Sequence, residues 1–156
     1  MDGNATIGHG PDRHPAAWNP ARTREEKEEQ GRRKEERSPM PPVTIMELLE
    51  KCKEKTALCD AREAAHRIKN DGDLVLIDVR EPGEFEENPV PGAVNIPRGF
   101  LEFKICETCP EDHAPILLHC RTGGRAVLAA KTLAEMGYRN VAAYQGTVDE
   151  LLAALE

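Results

Sequence analysis

No stretch of this chain is apolar over the roughly 18–20 residues that a membrane-crossing helix needs, which argues against a membrane protein. Its first ten residues lack the charged-then-apolar layout of a secretory signal, so a cytoplasmic location is expected. There the five cysteines should stay mostly reduced, and a disulfide framework is not expected. Net positive charge is absent too. Residues 1–40 carry eight basic and eight acidic residues, and the remainder carries 13 basic and 20 acidic, which accounts for the whole net charge of −7. An acidic body is a poor match for nucleic acid or an anionic membrane. Internal repeats are missing. Tryptophan occurs once, at Trp18, and alone it is weak evidence for a docking site.

Periodic apolar patterning is also missing from residues 1–40. The segment 1–20 is rich in Gly, Pro, Asn and His and cannot bury enough surface to offset its ordering entropy. Arg22 to Arg37 is a mixed-charge run that allows a transient, solvated helix interrupted at Gly31. Ser38-Pro-Met-Pro-Pro42 reads as a linker. Residues 1–42 are therefore expected to be a disordered or linker tail, with the folded domain at 43–156.

From Val43 onward the chain alternates between strand and helix signals. Thr44 and Glu47 have capping-box spacing before a helix that runs to about Lys53. Ala57 to Cys59 reads as a short strand, and Asp60 as the cap of a helix over Ala61–Lys69. His66, within that helix, reads as an ordinary surface or core residue. Leu74 to Asp78 is a continuous apolar run ending in an acid, as suits a central strand buried on both faces. Pro82 fits the first turn of a short helix over Gly83–Glu87. Ala93–Ile96 is another strand. Phe100, Phe103 and Ile105 have helical spacing. Ile116–His119, Val141–Tyr144 and the helices Gly124–Met136 and Val148–Leu155 complete the pattern, with Gly137 as a helix-terminating residue. The alternation predicts an open parallel sheet with helices on both faces, whose ligand sits beyond the carboxyl ends of the strands.

The chemistry concentrates in Cys120-Arg-Thr-Gly-Gly-Arg125. A short strand delivers Cys120 into a tight turn. Gly123 and Gly124 let several backbone N–H groups face one point, and Arg125 stands in the first turn of the next helix. Amides, helix N-terminus and two arginines are expected to favour thiolate at Cys120 and to hold an anion, in a small positive pocket on a negative body. A lone cysteine after an apolar run is more often a packing residue. A packing cysteine, however, needs neither the two glycines nor the flanking arginines. His119 reads equally as a core or rim residue. Cys106 and Cys109, with His113 four residues on, supply three potential zinc ligands and lack an obvious fourth. They are read as an incidental loop pair, and no metal site is expected.

Three segments in order, Ile77-Asp-Val-Arg-Glu-Pro-Gly-Glu-Phe85, Val90-Pro-Gly-Ala-Val-Asn-Ile-Pro97 and Cys120-Arg-Thr-Gly-Gly-Arg125, resemble the rhodanese (sulfurtransferase) domain over about residues 55–156. The resemblance implies a rhodanese-like α/β fold and sulfur transfer through a cysteine persulfide. Carried over, Cys120 would be the sulfur carrier. The backbone of Arg121, Thr122, Gly123, Gly124 and Arg125 would cradle the persulfide or substrate anion. Arg121 and Arg125 would supply positive field, and Asp78 and Arg80 would anchor the sheet edge. The donor would be thiosulfate or a similar compound and the acceptor cyanide or a thiol, a protein acceptor included, with no cofactor. The alternative is a sulfur-delivery or sensing module that acts on a protein partner.

Four residues separate Cys120 from Arg125, against five in the related phosphatases and arsenate reductases, which disfavours phosphate hydrolysis. Two departures from the family pattern stand out: Glu87-Asn-Pro-Val90, where a Gly-His pair is common, and Gly146-Thr147, where two glycines are common. Neither is expected to touch the cysteine loop, although the second is expected to shape the pocket rim.

Overall fold

The computed structural model describes residues 23–36 and 41–156. The chain divides between Pro42 and Val43 into two units. In the first, helix α1 (Arg24–Glu36) runs without a break through Gly31, against the expected interruption. A mid-helix glycine costs about 1 kcal/mol but still donates and accepts in the ladder. The start of α1 is held by reciprocal bonds between Thr23 and Glu26. The expectations for residues 1–22 and 37–40, Trp18 included, lie outside the described residues.

In the second unit, α2 (Ile45–Lys53) opens on the capping box of Thr44 and Glu47. Next come β1 (Ala57–Cys59), α3 (Ala61–Asn70) capped by Asp60, β2 (Val75–Asp78), α4 (Pro82–Glu87) and β3 (Val94–Asn95). A 3-10 turn at Arg98–Phe100 leads into α5 (Leu101–Thr108), β4 (Ile116–His119), α6 (Gly124–Glu135), β5 (Val141–Tyr144) and α7 (Val148–Leu155). Gly137, at φ 102°, ends α6: its N–H reaches Ala134 O, and that of Tyr138 reaches Leu133 O, closing the last turn as a Schellman motif. No helix among the described residues is long and apolar enough to cross a membrane.

The five strands pair in parallel in the order β1-β5-β4-β2-β3. Alternate side chains divide the core in two. Ile77, Ile116, Leu118 and Ala143 pack with α2, α5 and α6. Leu76, Leu117, Ala142 and Tyr144 pack with α3 and α7. The middle strands β4 and β2 are thus buried on both faces, and their exits lie side by side.

Helix α5 corrects one expectation. Phe100 and Phe103 are 58% and 80% exposed, while Leu101, Ile105 and Cys109 are buried. The inward stripe runs at four-residue intervals. Phe103, two positions from Ile105, points roughly the opposite way. Lys104 covers the Phe100 ring instead, 5.9 Å from its centroid. Met136, expected as the last residue of α6, is its C-cap and is 41% exposed.

Candidate active site

Strand β4 runs Ile116–His119 through the middle of the sheet and ends at Cys120. Gly123 caps α6 with φ 93°, a left-handed conformation that residues with a Cβ resist. A Cβ there would also stand 2.7 Å from Gln145 Nε2 and 3.2 Å from Tyr144 O, at the end of β5. This turn aims the Gly123 N–H at the Cys120 sulfur, to which it donates at 3.2 Å. The thiol is buried, with 1% exposure. The Cys120 sulfur thus receives a backbone donor beside the N-terminus of a 12-residue helix.

The two arginines of the loop do different things. Arg121 is exposed and has no ion-pair partner among the described residues. Arg125 is gripped by Glu84, the second glutamate of α4 and its N-terminal flank, through Nη1–Oε2 at 2.7 Å and Nη2–Oε1 at 2.8 Å. This forked pair pulls the Glu84 carboxyl down to about 2, chiefly through its bond to Arg125. The same bond raises the Arg125 guanidinium further, and the nearby Cys120 sulfur adds to that effect. Glu84 therefore fixes where the guanidinium stands relative to the loop. As an early acid of a short helix it was recognisable from the sequence, but its pairing with Arg125 was not.

Below the loop lies a buried polar layer. Arg80 forks onto Asp78 (Nη2–Oδ2 2.7 Å, Nε–Oδ2 3.0 Å) and donates from Nη2 to Asn88 O at 2.8 Å. Asn95 donates to the carbonyls of both Asp78 and Arg80. His119, paired in register with Asp78, has no exposure, and neither ring nitrogen has a hydrogen-bond partner. Burial pushes its pKa down to about 4 against the opposing pull of Asp78. The ring is therefore neutral near pH 7, and its 3.6 Å approach to Asp78 Oδ2 is not an ion pair there.

A cleft of about 350 Å³ opens beside the loop, lined by Arg80, Glu84, Glu87, Asn88, Arg121, Thr122, Thr147, Val148 and Asp149. These come from the exits of β2, β4 and β5, at the carboxyl edge of the sheet. One expectation is corrected here, the positive charge of the pocket. The departures at Glu87–Asn88 and Thr147 line the cleft together with Arg121 and Thr122, because the sheet order brings three separated exits together. Asn88 Nδ2 even bridges to Asp149 Oδ1 at 3.0 Å. The pocket is not simply positive, since three carboxylates line it with two guanidinium groups. Thr147, expected at the pocket rim, is indeed in the lining, whereas Asn88, Val148 and Asp149 carry no local signal of a site.

The other cysteines lie elsewhere. Cys109 is buried and Cys106 exposed at the end of α5. Tyr138 Oη donates to Cys109 O at 2.7 Å and lies 3.9 Å from Cys106 Sγ. No three groups among the described residues are placed to hold a metal ion.

Comparison with known proteins shows what the chain is similar to. The chain is 32% identical over 100 residues to a rhodanese domain-containing protein of Drosophila melanogaster, a match covering 56% of this chain and 90% of that one. It is 27% identical over 89 residues to a protein of Allochromatium vinosum named sulfurtransferase, covering 57% and 81%. Among solved structures it is similar to a Rhodopseudomonas palustris protein described as a possible tyrosine phosphatase. That match has a TM-score of 0.66 and 29% identity, and covers 74% of this chain and 96% of that one. The model of the rhodanese-like domain matches residues 60–154, which hold strands β2 to β5, the cysteine loop and the cleft, and the chain therefore belongs to the rhodanese-like domain family.

Proposed function

We propose that the protein is a sulfurtransferase that carries sulfane sulfur on Cys120, taking it from thiosulfate or a similar donor and passing it to a thiol or cyanide. The observation that carries this reading is the Gly123 N–H on the Cys120 sulfur at 3.2 Å, in a turn whose residue 123 has no room for a Cβ. In the first step the Cys120 thiolate attacks the outer sulfur of the donor. The S–S bond breaks and, with thiosulfate, sulfite leaves with the electron pair. In the second step an acceptor nucleophile attacks the outer persulfide sulfur, and Cys120 leaves as thiolate. Loop amides hold the negative charge at each stage. Arg125, positioned by Glu84, and Arg121 face the incoming anion. No cofactor is required, and a cytoplasmic setting suits a reduced thiol.

The four-residue spacing between Cys120 and Arg125 favours a sulfur-sized cradle over a phosphoryl-sized one, which answers the phosphatase reading. A delivery module that serves a protein partner would use the same persulfide but turn over slowly with small donors. The test is the intact mass of reduced protein after thiosulfate. A gain of one sulfur, about 32 Da, lost on adding cyanide and absent in Cys120→Ser, is expected of covalent catalysis. No gain with thiosulfate, polysulfide or a persulfidated protein would overturn the proposal.

A further inference from the structure

We propose that Cys106 and Cys109 form a second reactive site, remote from Cys120, at which a small disulfide oxidises the two thiols to an internal disulfide. The proposal is independent of the sulfur-transfer reading and stands or falls apart from it.

Spacing is the first argument. By sequence alone Cys106-Glu-Thr-Cys109 reads as an incidental loop pair. In the structure Cys106 lies in the last turn of α5 and Cys109 is its C-cap, whose N–H donates to Ile105 O at 2.7 Å. One helical turn therefore joins them. Residues three apart in such a turn have Cα atoms about 5 Å apart, within the roughly 4.4–6.8 Å that a disulfide spans. Their Cβ atoms, about 5–6 Å apart in a regular helix, must come about 1 Å closer. The cap allows that movement. Cys109 stands at φ −142° and ψ 85°, outside the helical region, and Pro110 after it has no N–H to extend the ladder.

Surroundings are the second. Both cysteines lie against one group: the Tyr138 hydroxyl donates to Cys109 O at 2.7 Å and lies 3.9 Å from Cys106 Sγ. The two differ in access, Cys106 being exposed and Cys109 buried. An exposed thiol can meet a disulfide from solvent and a buried one beside it cannot, which divides them into an attacking and a resolving cysteine. Burial also raises the Cys109 thiol above its ordinary value. The reduced pair is then not stabilised as thiolate, which favours the disulfide form.

Place in the fold is the third. Cys109 lines a cleft with Val75 and Pro115, at the starts of β2 and β4. The pair thus sits at the amino edge of the sheet, and Cys120 at the carboxyl edge. The Cys106 thiolate attacks one sulfur of the disulfide R–S–S–R, that bond breaks, and one R–S⁻ leaves. The Cys109 thiolate then attacks the Cys106 sulfur, the second R–S⁻ leaves, and the Cys106–Cys109 bond forms. The two thiol protons pass to the two R–S⁻, so the pair is oxidised by two electrons and the small disulfide is reduced to two thiols. A lasting adduct on an exposed thiol is exchanged for an internal bond that any thiol reductant can reverse.

The test treats the reduced full chain with glutathione disulfide, alkylates the remaining thiols in denaturant and cuts the chain after glutamate. The cut leaves Cys106 in Phe103–Glu107, Cys109 in Thr108–Glu111 and Cys120 in Asp112–Glu135. The first two fragments should be recovered joined, and should separate on reduction. Cys109→Ser should accumulate Cys106 carrying one glutathione, at least about tenfold more than the unaltered protein does. Cys106→Ser should leave Cys109 alkylated and free of glutathione. Thermal melting checks that both variants fold. Unaltered protein in which Cys106 keeps its glutathione would overturn the proposal. So would fragments recovered unjoined with both thiols alkylated, or Cys106 joined to the Cys120 fragment instead.

Discussion

At the scale of the residue, His119 is the side chain least at ease in this structure. It is fully buried, unpaired and held neutral, with its pKa near 4. The unfolded chain binds its proton near pH 6.5, so the unfolded state takes up more protons than the folded one between about pH 6.5 and 4. This contribution is complete above pH 6.5 and is lost as the pH falls towards 4, on the order of 3 kcal/mol for a shift of this size. His119→Leu, of similar volume and without the orphaned nitrogens, should flatten that part of the urea-stability profile. At pH 7 it should leave stability equal or higher. An unchanged slope between pH 4 and 6.5 would show that the proton uptake lies elsewhere.

Glu84 works through the opposite protonation state. Its folded pKa, about 2, is below the ordinary glutamate value. The stability it adds is therefore present above about pH 4.5 and lost as the pH falls through about 2. Both partners are partly exposed, so solvent limits this to about 1 kcal/mol. Its larger consequence is positional. Glu84→Gln should slow persulfide formation by about tenfold or more, because a free Arg125 guanidinium no longer stands in one place, while the Tm moves by only a few degrees. A large Tm loss with an unaltered rate would make the pair merely structural. Gly123→Ala is the severer change. A left-handed φ and the backbone carbonyl of Tyr144 both oppose the methyl group, so a loss above about 1 kcal/mol is expected. The Gly123 amide should also be displaced from the sulfur.

At the scale of the element, α5 shows how a helix is recognised while its buried face is not. Of its three apolar landmarks, Phe103 and Ile105 lie in the helix and Phe100 in the 3-10 turn before it, and the two phenylalanines face water. Ile105→Ala should cost about 2–5 kcal/mol as a buried truncation, whereas Phe103→Ser should stay within about 0.5 kcal/mol as a surface change. Paired chemical-denaturation curves would decide this, and equal losses would put Phe103 in the core. Elsewhere the local codes were sufficient. The boxes and caps at Thr44 and Asp60, the stop at Gly137 and the turn through Gly123 each depend on neighbours within five residues, so their geometry can be read from the sequence around them.

At the scale of the whole molecule, the excess of acidic residues lies beyond residue 40, around a cleft that is itself of mixed charge. A dianionic donor therefore approaches against the general field. Persulfide formation from thiosulfate should accelerate as salt rises from about 0.01 M towards 0.15 M, where the screening length contracts from about 30 Å to 8 Å. Stopped-flow rates in sodium chloride would show it. A rate that falls with salt would mean that Arg121 and Arg125 dominate the long-range field as well as the local one.

By itself the sequence determined the alternation of strands and helices, the sheet's buried middle strands, the family and the place of Cys120 just after a strand. These rest on side-chain period, on cap and turn residues, and on one uninterrupted loop, all of them short-range. Only the tertiary structure decided what surrounds that cysteine. Glu84 meets Arg125 across 41 positions, and Asn88 meets Asp149 across 61. Both pairings result from the order β1-β5-β4-β2-β3, which sets the exits of β2 and β5 on either side of the β4 exit. No spacing within either segment encodes that neighbourhood. The charge of the cleft is a property of three loops that become neighbours only when the sheet forms.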